Sequence, residues 1–136
     1  MRAKNLLVMP GTRWQLELVR KIHEMGHSVS IVDPNSSAPC VAEADAYLAS
    51  DIFDRTAVLD FCRKNNIDGV VSDECDIVMG EIAAIGKALN VPALSPETAS
   101  LYTDKFKMRE RCSQIGIAHP EYNRRSEERR VGKECR

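Results

Sequence analysis

The run Asn5-Leu6-Leu7-Val8-Met9-Pro10-Gly11 sets the reading of the whole chain. Four consecutive apolar residues closed by a Pro-Gly turn signal read as a short buried strand followed by a tight loop. Immediately downstream, Leu16, Val19, Ile22 and Met25 recur about every three residues, the spacing of an amphipathic helix, and Gly26 is placed to end it. Val29-Ser30-Ile31-Val32 then reads as a second strand, ended by the turn-former string Asp33-Pro34-Asn35-Ser36-Ser37. A strand, a helix and a strand with short links is the unit of a parallel sheet covered by helices.

The pattern continues through the chain. Ala46-Tyr47-Leu48 is a weaker extended piece, and Ala57, Val58, Phe61 and Cys62 form one face of the next helix. Arg63 and Lys64 suit that helix's negative C-terminal dipole. Gly69-Val70-Val71-Ser72 predicts a fourth strand, and Val78, Ile82, Ile85 and Leu89 predict a helix ending at Asn90. Val91-Pro92-Ala93-Leu94 predicts a fifth strand, at an edge because proline cannot donate to a ladder. Ser95 caps a helix with Pro96 in its first position and Glu97 near its positive end. Thr103 or Asp104 starts a last helix through Ser113, stopped by Gly116. The fold class that follows is α/β, a parallel sheet with helices on both faces.

Composition narrows the function classes. The 136 residues are 43% hydrophobic, 29% charged and 5% aromatic, with a net charge of −1, an ordinary globular balance. Such a charge provides no basic field for nucleic acid or an anionic membrane surface, so neither partner is expected. No apolar run approaches the roughly 18 residues of a membrane span, and Leu6–Met9 is far shorter than a signal-peptide core of about 7–15 residues. Cys40, Cys62, Cys75, Cys112 and Cys135 are odd in number and widely spaced, without a CxxC pair. That pattern speaks for a reducing, cytoplasmic setting and against a disulfide framework or structural zinc.

Residues 125–136, Arg125-Ser126-Glu127-Glu128-Arg129-Arg130-Val131-Gly132-Lys133-Glu134-Cys135-Arg136, break the pattern. They carry eight charges and one aliphatic side chain, with no period that could bury a face. A solvated helix end is the plain reading of that composition. The string also resembles the conceptual translation of a common short-read sequencing adapter, and we read it as non-native and exclude it from the fold. Removing its five basic and three acidic residues leaves a net charge of −3. A reading frame that runs into adapter is expected to be the front of a longer protein.

In an open parallel sheet, ligands bind beyond the carboxyl ends of the strands, so the loops to inspect are Pro10–Trp14, Asp33–Cys40 and Ser72–Asp76. The first holds Gly11, Thr12 and Arg13, where backbone N–H groups at a helix start could meet an anion. It lacks the second and third glycines of a dinucleotide loop, and Arg13 and Trp14 occupy the space a pyrophosphate needs. Asp33 lies 22 residues after Gly11, near the spacing of a ribose-binding carboxylate, but an Asp before Pro at a strand end is preferred as a turn-former. Asp73, Glu74 and Asp76 place three carboxylates at one strand end. Asp76 is the natural helix N-cap, and the cluster could hold a cation or a substrate amine. Cys75 could be a thiolate activated by a helix N-terminus, although a structural thiol is the preferred reading. His23, His27 and His119 make no metal-ligand spacing with one another or with cysteine, and no metal site is expected in these residues.

The order of these signals resembles the N-terminal domain of ATP-grasp ligases. The resemblance is carried by the first strand with Pro10-Gly11, by Gly26-His27-Ser28-Val29, Val32-Asp33-Pro34-Asn35 and Ala42–Asp45. It continues through Ile67-Asp68-Gly69-Val70-Val71-Ser72, Leu89-Asn90-Val91-Pro92 and Leu94-Ser95-Pro96-Glu97. Its most specific part is Thr103-Asp104-Lys105-Phe106-Lys107-Met108-Arg109 followed by Gly116-Ile117-Ala118 and Pro120, and it spans residues 4–122. The resemblance implies a Rossmann-like pre-ATP-grasp domain over residues 1–94. It places linker helices and the start of an ATP-grasp domain over 95–124.

The family uses ATP and Mg²⁺ to phosphorylate a carboxylate, which an amine, thiol or other nucleophile then attacks. A carboxylate resists attack until one oxygen becomes a leaving group, and metal and lysines must neutralise the transferred phosphate. The resemblance implies nucleotide contact by Lys105, a helix lysine that would otherwise read as merely exposed. It also implies an acceptor site near Gly11, Thr12, Arg13, Asp73 and Glu74, with a small-molecule carboxylate as partner. The second nucleotide lysine, the adenine-binding hinge and the magnesium-binding Glu/Asn pair have no match in this sequence. The fragment alone is therefore expected to be catalytically inert and to bind neither ATP nor Mg²⁺ tightly.

Two rivals remain. One is a stand-alone Rossmann-like nucleotide- or effector-binding module without catalysis. The other is half of a nicotinamide-dependent oxidoreductase, against which the missing glycines weigh. The sheet edge could support a homodimer, which nothing in the composition demands.

Overall fold

A computed structural model describes residues 2–122; the adapter-like reading of 125–136 falls outside them. Four strands form a parallel sheet in the order β3-β2-β1-β4, with β1 Asn5–Val8, β2 Ser28–Val32, β3 Ala46–Leu48 and β4 Gly69–Val71. Register pairs Leu7 with Ser30 on one side and with Val70 on the other. Five helices complete the unit: α1 Leu16–Glu24, α2 Arg55–Lys64, α3 Met79–Leu89, α4 Pro96–Thr103 and α5 Lys105–Gln114.

Strand alternation sends successive side chains to opposite faces, and two cores result. Leu7, Val32 and Val70 pack with Val58 and Cys62 of α2 and Ile82 and Ile85 of α3. Val8, Val29 and Ile31 pack with Val19 and Ile22 of α1 and with Cys40. The central strands are buried on both faces, as a parallel sheet requires. Helices on both faces of a parallel sheet were the fold class expected from the sequence.

Three local expectations need correction. Val91-Pro92-Ala93-Leu94 is not a strand. It lies beside β4 and receives one long hydrogen bond, from Val70 N–H to the Pro92 carbonyl at 3.5 Å, while Val91 N–H turns back to the Gly86 carbonyl at 3.0 Å. Pro92 has no N–H to return, so no ladder forms. Met25 does not join the buried stripe of α1 but sits at its C-cap, 62% exposed, because Gly26 with φ +76° turns the chain away. Asp76 is not an N-cap. The cap position is Cys75, without a side-chain bond, and Asp76 opens a short 3-10 turn through Val78.

Elsewhere the capping chemistry is as the sequence reads. Ser95 Oγ accepts the Thr98 N–H at 3.1 Å, and Asp104 Oδ1 accepts the N–H groups of Phe106 and Lys107 at 2.9 and 3.2 Å. Asn90 ends α3 in the left-handed region with φ +54°. α4 packs on α3, and α5 on α4. Ala99 is the one buried residue of α4, and α5 has none.

Candidate functional site

The sheet order reverses at β1: the chain runs from β1 to β2 and β3 on one side, then crosses to β4 on the other. Loops leaving adjacent strands in opposite directions open a crevice at their carboxyl ends. Residues 10–15 after β1 and 72–76 after β4 are the loops at that position, and the loop after β2 bonds to the first of them.

Gly11 is buried and has no room for a side chain. A Cβ there would lie 2.8 Å from Ile31 Cγ2 and 3.3 Å from Asp33 Cβ. Its N–H donates to Asp33 Oδ2 at 2.9 Å, while Asp33 Oδ1 accepts the Asn35 N–H at 2.8 Å. Asp33, 5% exposed, is thus the turn-former preferred from the sequence and also a clasp between the β1 and β2 loops. The same two loops meet again at Cys40, whose N–H donates to the Gly11 carbonyl and whose thiol donates to the Thr12 carbonyl, both at 3.0 Å. Burial pushes the Cys40 thiol up to about 11, with Glu43 and Asp33 adding to the shift, so it is a structural donor and not a nucleophile.

Thr12 caps the 3-10 turn Arg13–Gln15, its hydroxyl accepting the Trp14 N–H at 3.4 Å and donating to Gln15 Oε1. Arg13 is exposed, with its guanidinium 5.2 Å from the centre of the Trp14 ring. It makes no ion pair among the described residues, whereas Arg20, Arg55 and Arg63 are each held by a carboxylate. Asp73 and Glu74 are exposed, Glu74 in the left-handed region with φ +51°.

The residue that joins these loops was not singled out in the sequence. Gln15 is 1% exposed, and its Nε2 donates to the carbonyl of Asp73. The structure therefore links the loop that holds Gly11, Thr12 and Arg13 to the loop that holds Asp73 and Glu74. Lys105 is not among them. It stands exposed at the start of α5, which packs on α4 and not on the sheet.

Cys75, His23 and His119 make internal contacts, whereas the buried Nδ1 of His27 has no hydrogen-bond partner among the described residues. Cys75 packs against the core formed by α2 and α3. His23 Nε2 lies 2.9 Å from Asp45 Oδ2, and His119 bonds Ser113 and the Pro120 carbonyl. Among the described residues, no three His, Cys, Asp or Glu side chains gather where they could hold a metal. No helix among them is long and apolar enough to cross a membrane.

Solved structures share this arrangement. Phosphoribosylglycinamide synthetase from Anaerococcus prevotii superposes with a TM-score of 0.73 at 28% identity, over 85% of this chain and 30% of that one. N5-carboxyaminoimidazole ribonucleotide synthetase from Thermotoga maritima gives 0.74 at 22% identity, over 87% of this chain and 32% of that one. N5-carboxyaminoimidazole synthetase from Staphylococcus aureus, solved in complex with ADP, gives 0.71 at 17% identity, over 85% and 31%. No family model and no curated protein matches the sequence. The chain has the fold of the N-terminal region of ATP-grasp enzymes, as the resemblance in its sequence implied. It spans about a third of the length of the structures it matches.

Proposed function

We propose that the chain is the first part of an ATP-dependent ligase that activates a carboxylate as an acyl phosphate for attack by an amine or related nucleophile. In this reading residues 1–94 form the pre-ATP-grasp domain, which builds one wall of the acceptor site, and 95–124 lead into the nucleotide-grasping part. The carrying observation is the β1–β4 reversal, where Gln15 ties loop 10–15 to loop 72–76 and Asp33 ties it to the loop after β2. Support comes from the ATP-grasp fold of the neighbours, one of them solved with ADP.

The residues divide the work by charge. Arg13, its guanidinium beside the Trp14 ring, offers a planar fork of donors to a substrate carboxylate. Asp73 and Glu74 offer acceptors to a cationic amine. Lys105, exposed at the start of α5, is the one candidate for nucleotide contact. The described residues do not fit a magnesium site, since no three metal-ligating side chains converge. Phosphoryl transfer is therefore assigned to none of them, and the chain's own task is to bind and orient the acceptor.

The test is to read the source DNA across the Arg124–Arg125 junction from adapter-free reads. Continuation of the frame for about another domain or two, with a second lysine and a Glu…Asn pair, is the expected result. A stop codon near Asn123 would overturn the ligase reading in favour of a stand-alone binding module. Micromolar binding of NAD by this chain, measured by calorimetry, would favour the oxidoreductase reading instead; weak or undetectable binding of NAD and ATP is expected.

A further inference from the structure

We propose that Gln15 is a positioning residue, the joint that sets the spacing between the two loops of the acceptor crevice. The proposal rests on the ligase reading above only for its catalytic consequence, not for the joint itself. Gln15 is 1% exposed, although glutamine is among the residues most often left in water. Burying its amide is tolerable only if both ends are satisfied, and each end faces a different loop.

The hydrogen-bond directions are determined throughout. The carbonyl of Asp73 can only accept, so it must face Nε2 of Gln15. Oε1 then faces the Thr12 hydroxyl, which must donate to it. With its proton so placed, the Thr12 oxygen is left as acceptor for the Trp14 N–H. Loop 10–15 is thereby connected in one polarity to loop 72–76, across 58 residues of sequence. Arg13 and Asp73, residues of opposite charge, stand on the two backbones that this chain of bonds ties together.

A space-filling role and a joint give different results on substitution. Gln15→Met keeps the volume and removes both hydrogen bonds. Gln15→Glu keeps the volume and the acceptor, but an ionised carboxylate cannot donate to the Asp73 carbonyl. A protonated carboxyl can, so the joint should be restored as pH falls. Amide hydrogen exchange on the full chain reads this directly. In Gln15→Met, exchange in residues 72–76 should rise about tenfold while amides of β1 and β2 stay protected. Burial at this position raises a carboxyl above its ordinary value, so in Gln15→Glu the same rise relative to the parent at each pH should be present at pH 8 and largely reversed at pH 5. Thr12→Val, which leaves Gln15 in place and removes only its lock, should give a smaller rise in the same segment. Exchange in 72–76 within twofold of the parent in both Gln15 variants, with the core intact, would overturn the proposal. So would a Gln15→Glu effect that is independent of pH.

In the longer enzyme, Gln15→Met should raise the acceptor KM about tenfold with the ATP KM unchanged. An active enzyme whose acceptor KM does not move would overturn the positioning role. Absence of acceptor-dependent ADP release in the unsubstituted enzyme would instead overturn the ligase reading and leave the joint standing.

Discussion

The carboxylate of Asp33 accepts the backbone N–H of Gly11 at 2.9 Å across 22 residues of sequence, and both groups are buried. The loop after β1 is thus held by the residue that follows the neighbouring strand as well as by its own Thr12-capped turn. A carboxylate bonded to a backbone N–H on each oxygen is a strong, directional anchor, and it can form only because Gly11 brings the two backbones close.

Gly11→Ala tests that close approach. The added Cβ would press on Ile31 Cγ2 of β2 at 2.8 Å and on Asp33 Cβ, just beyond the strand, at 3.3 Å. A shift there must also stretch the Gly11–Asp33 bond. The substitution should cost about 1–3 kcal/mol by urea denaturation, and unchanged stability would show that the loop can move aside.

Two glycines of α3 should respond to the same change with opposite signs. Replacing a helical glycine by alanine ordinarily stabilises by up to ~1 kcal/mol. At Gly80 nothing lies within 4 Å of the new Cβ, so Gly80→Ala should follow that rule. At Gly86 the new Cβ would lie 2.2 Å from Ala93 Cβ, so Gly86→Ala should destabilise by about 1–3 kcal/mol. Stabilisation by both would mean that segment 91–94 does not press on the helix.

Much of this architecture is legible in the sequence, because periodicity records burial. Leu7 and Val8 face opposite cores, and Val58 with Cys62 marks the buried face of α2. The failed fifth strand shows the limit, since side-chain pattern does not record whether backbone N–H groups find partners. Val91–Leu94 is apolar enough for a strand, yet Pro92 leaves it one weak bond to β4. Gln15 was half legible: it precedes Val19 by four residues and Ile22 by seven, which places it on the buried stripe of α1. Its partner in the β4 loop is 58 residues away, and no local signal announces it.

Thiol reactivity should divide the cysteines by depth. Burial pushes the thiols of both Cys40 and Cys62 up to about 11, so neither holds an appreciable thiolate fraction near neutral pH. Cys75 and Cys112 are only half-buried. Iodoacetamide at pH 8 followed by peptide mass spectrometry should modify Cys75 and Cys112 in the folded chain, and Cys40 and Cys62 only after unfolding. Labelling of Cys40 at the rate of Cys75 would contradict its place between the Gly11 and Thr12 carbonyls.

Asp45 should make stability fall in acid. The Val29 N–H at 2.7 Å, then His23, hold its carboxyl below the usual carboxylate value, against an opposing effect of burial. A folded value below the unfolded one adds stability above the ordinary range near pH ~4, lost as pH falls through the folded value. Because Asp45 is half-exposed, the effect should be at most about 1 kcal/mol. Comparing Asp45→Asn with the parent by urea denaturation, the deficit at pH 7 should shrink as pH falls below the ordinary carboxylate range. A deficit that does not change with pH would assign it to packing.

Local stability should drop sharply after α3. A segment resists opening in proportion to the apolar surface it buries, and beyond residue 95 little is buried. α4 contributes Ala99 to the interior and α5 contributes nothing, while Tyr102, Ile115 and Ile117 are each more than half exposed. Their local caps, Ser95 and Asp104, favour helix formation but cannot supply a core. Amide exchange over 95–122 should therefore be at least about tenfold faster than in β1, β2 and α3. If a longer protein covers these side chains, the same amides should become protected in it while those of the sheet stay as they are. Equal protection in this chain would mean that α4 and α5 are held by contacts other than the apolar ones described.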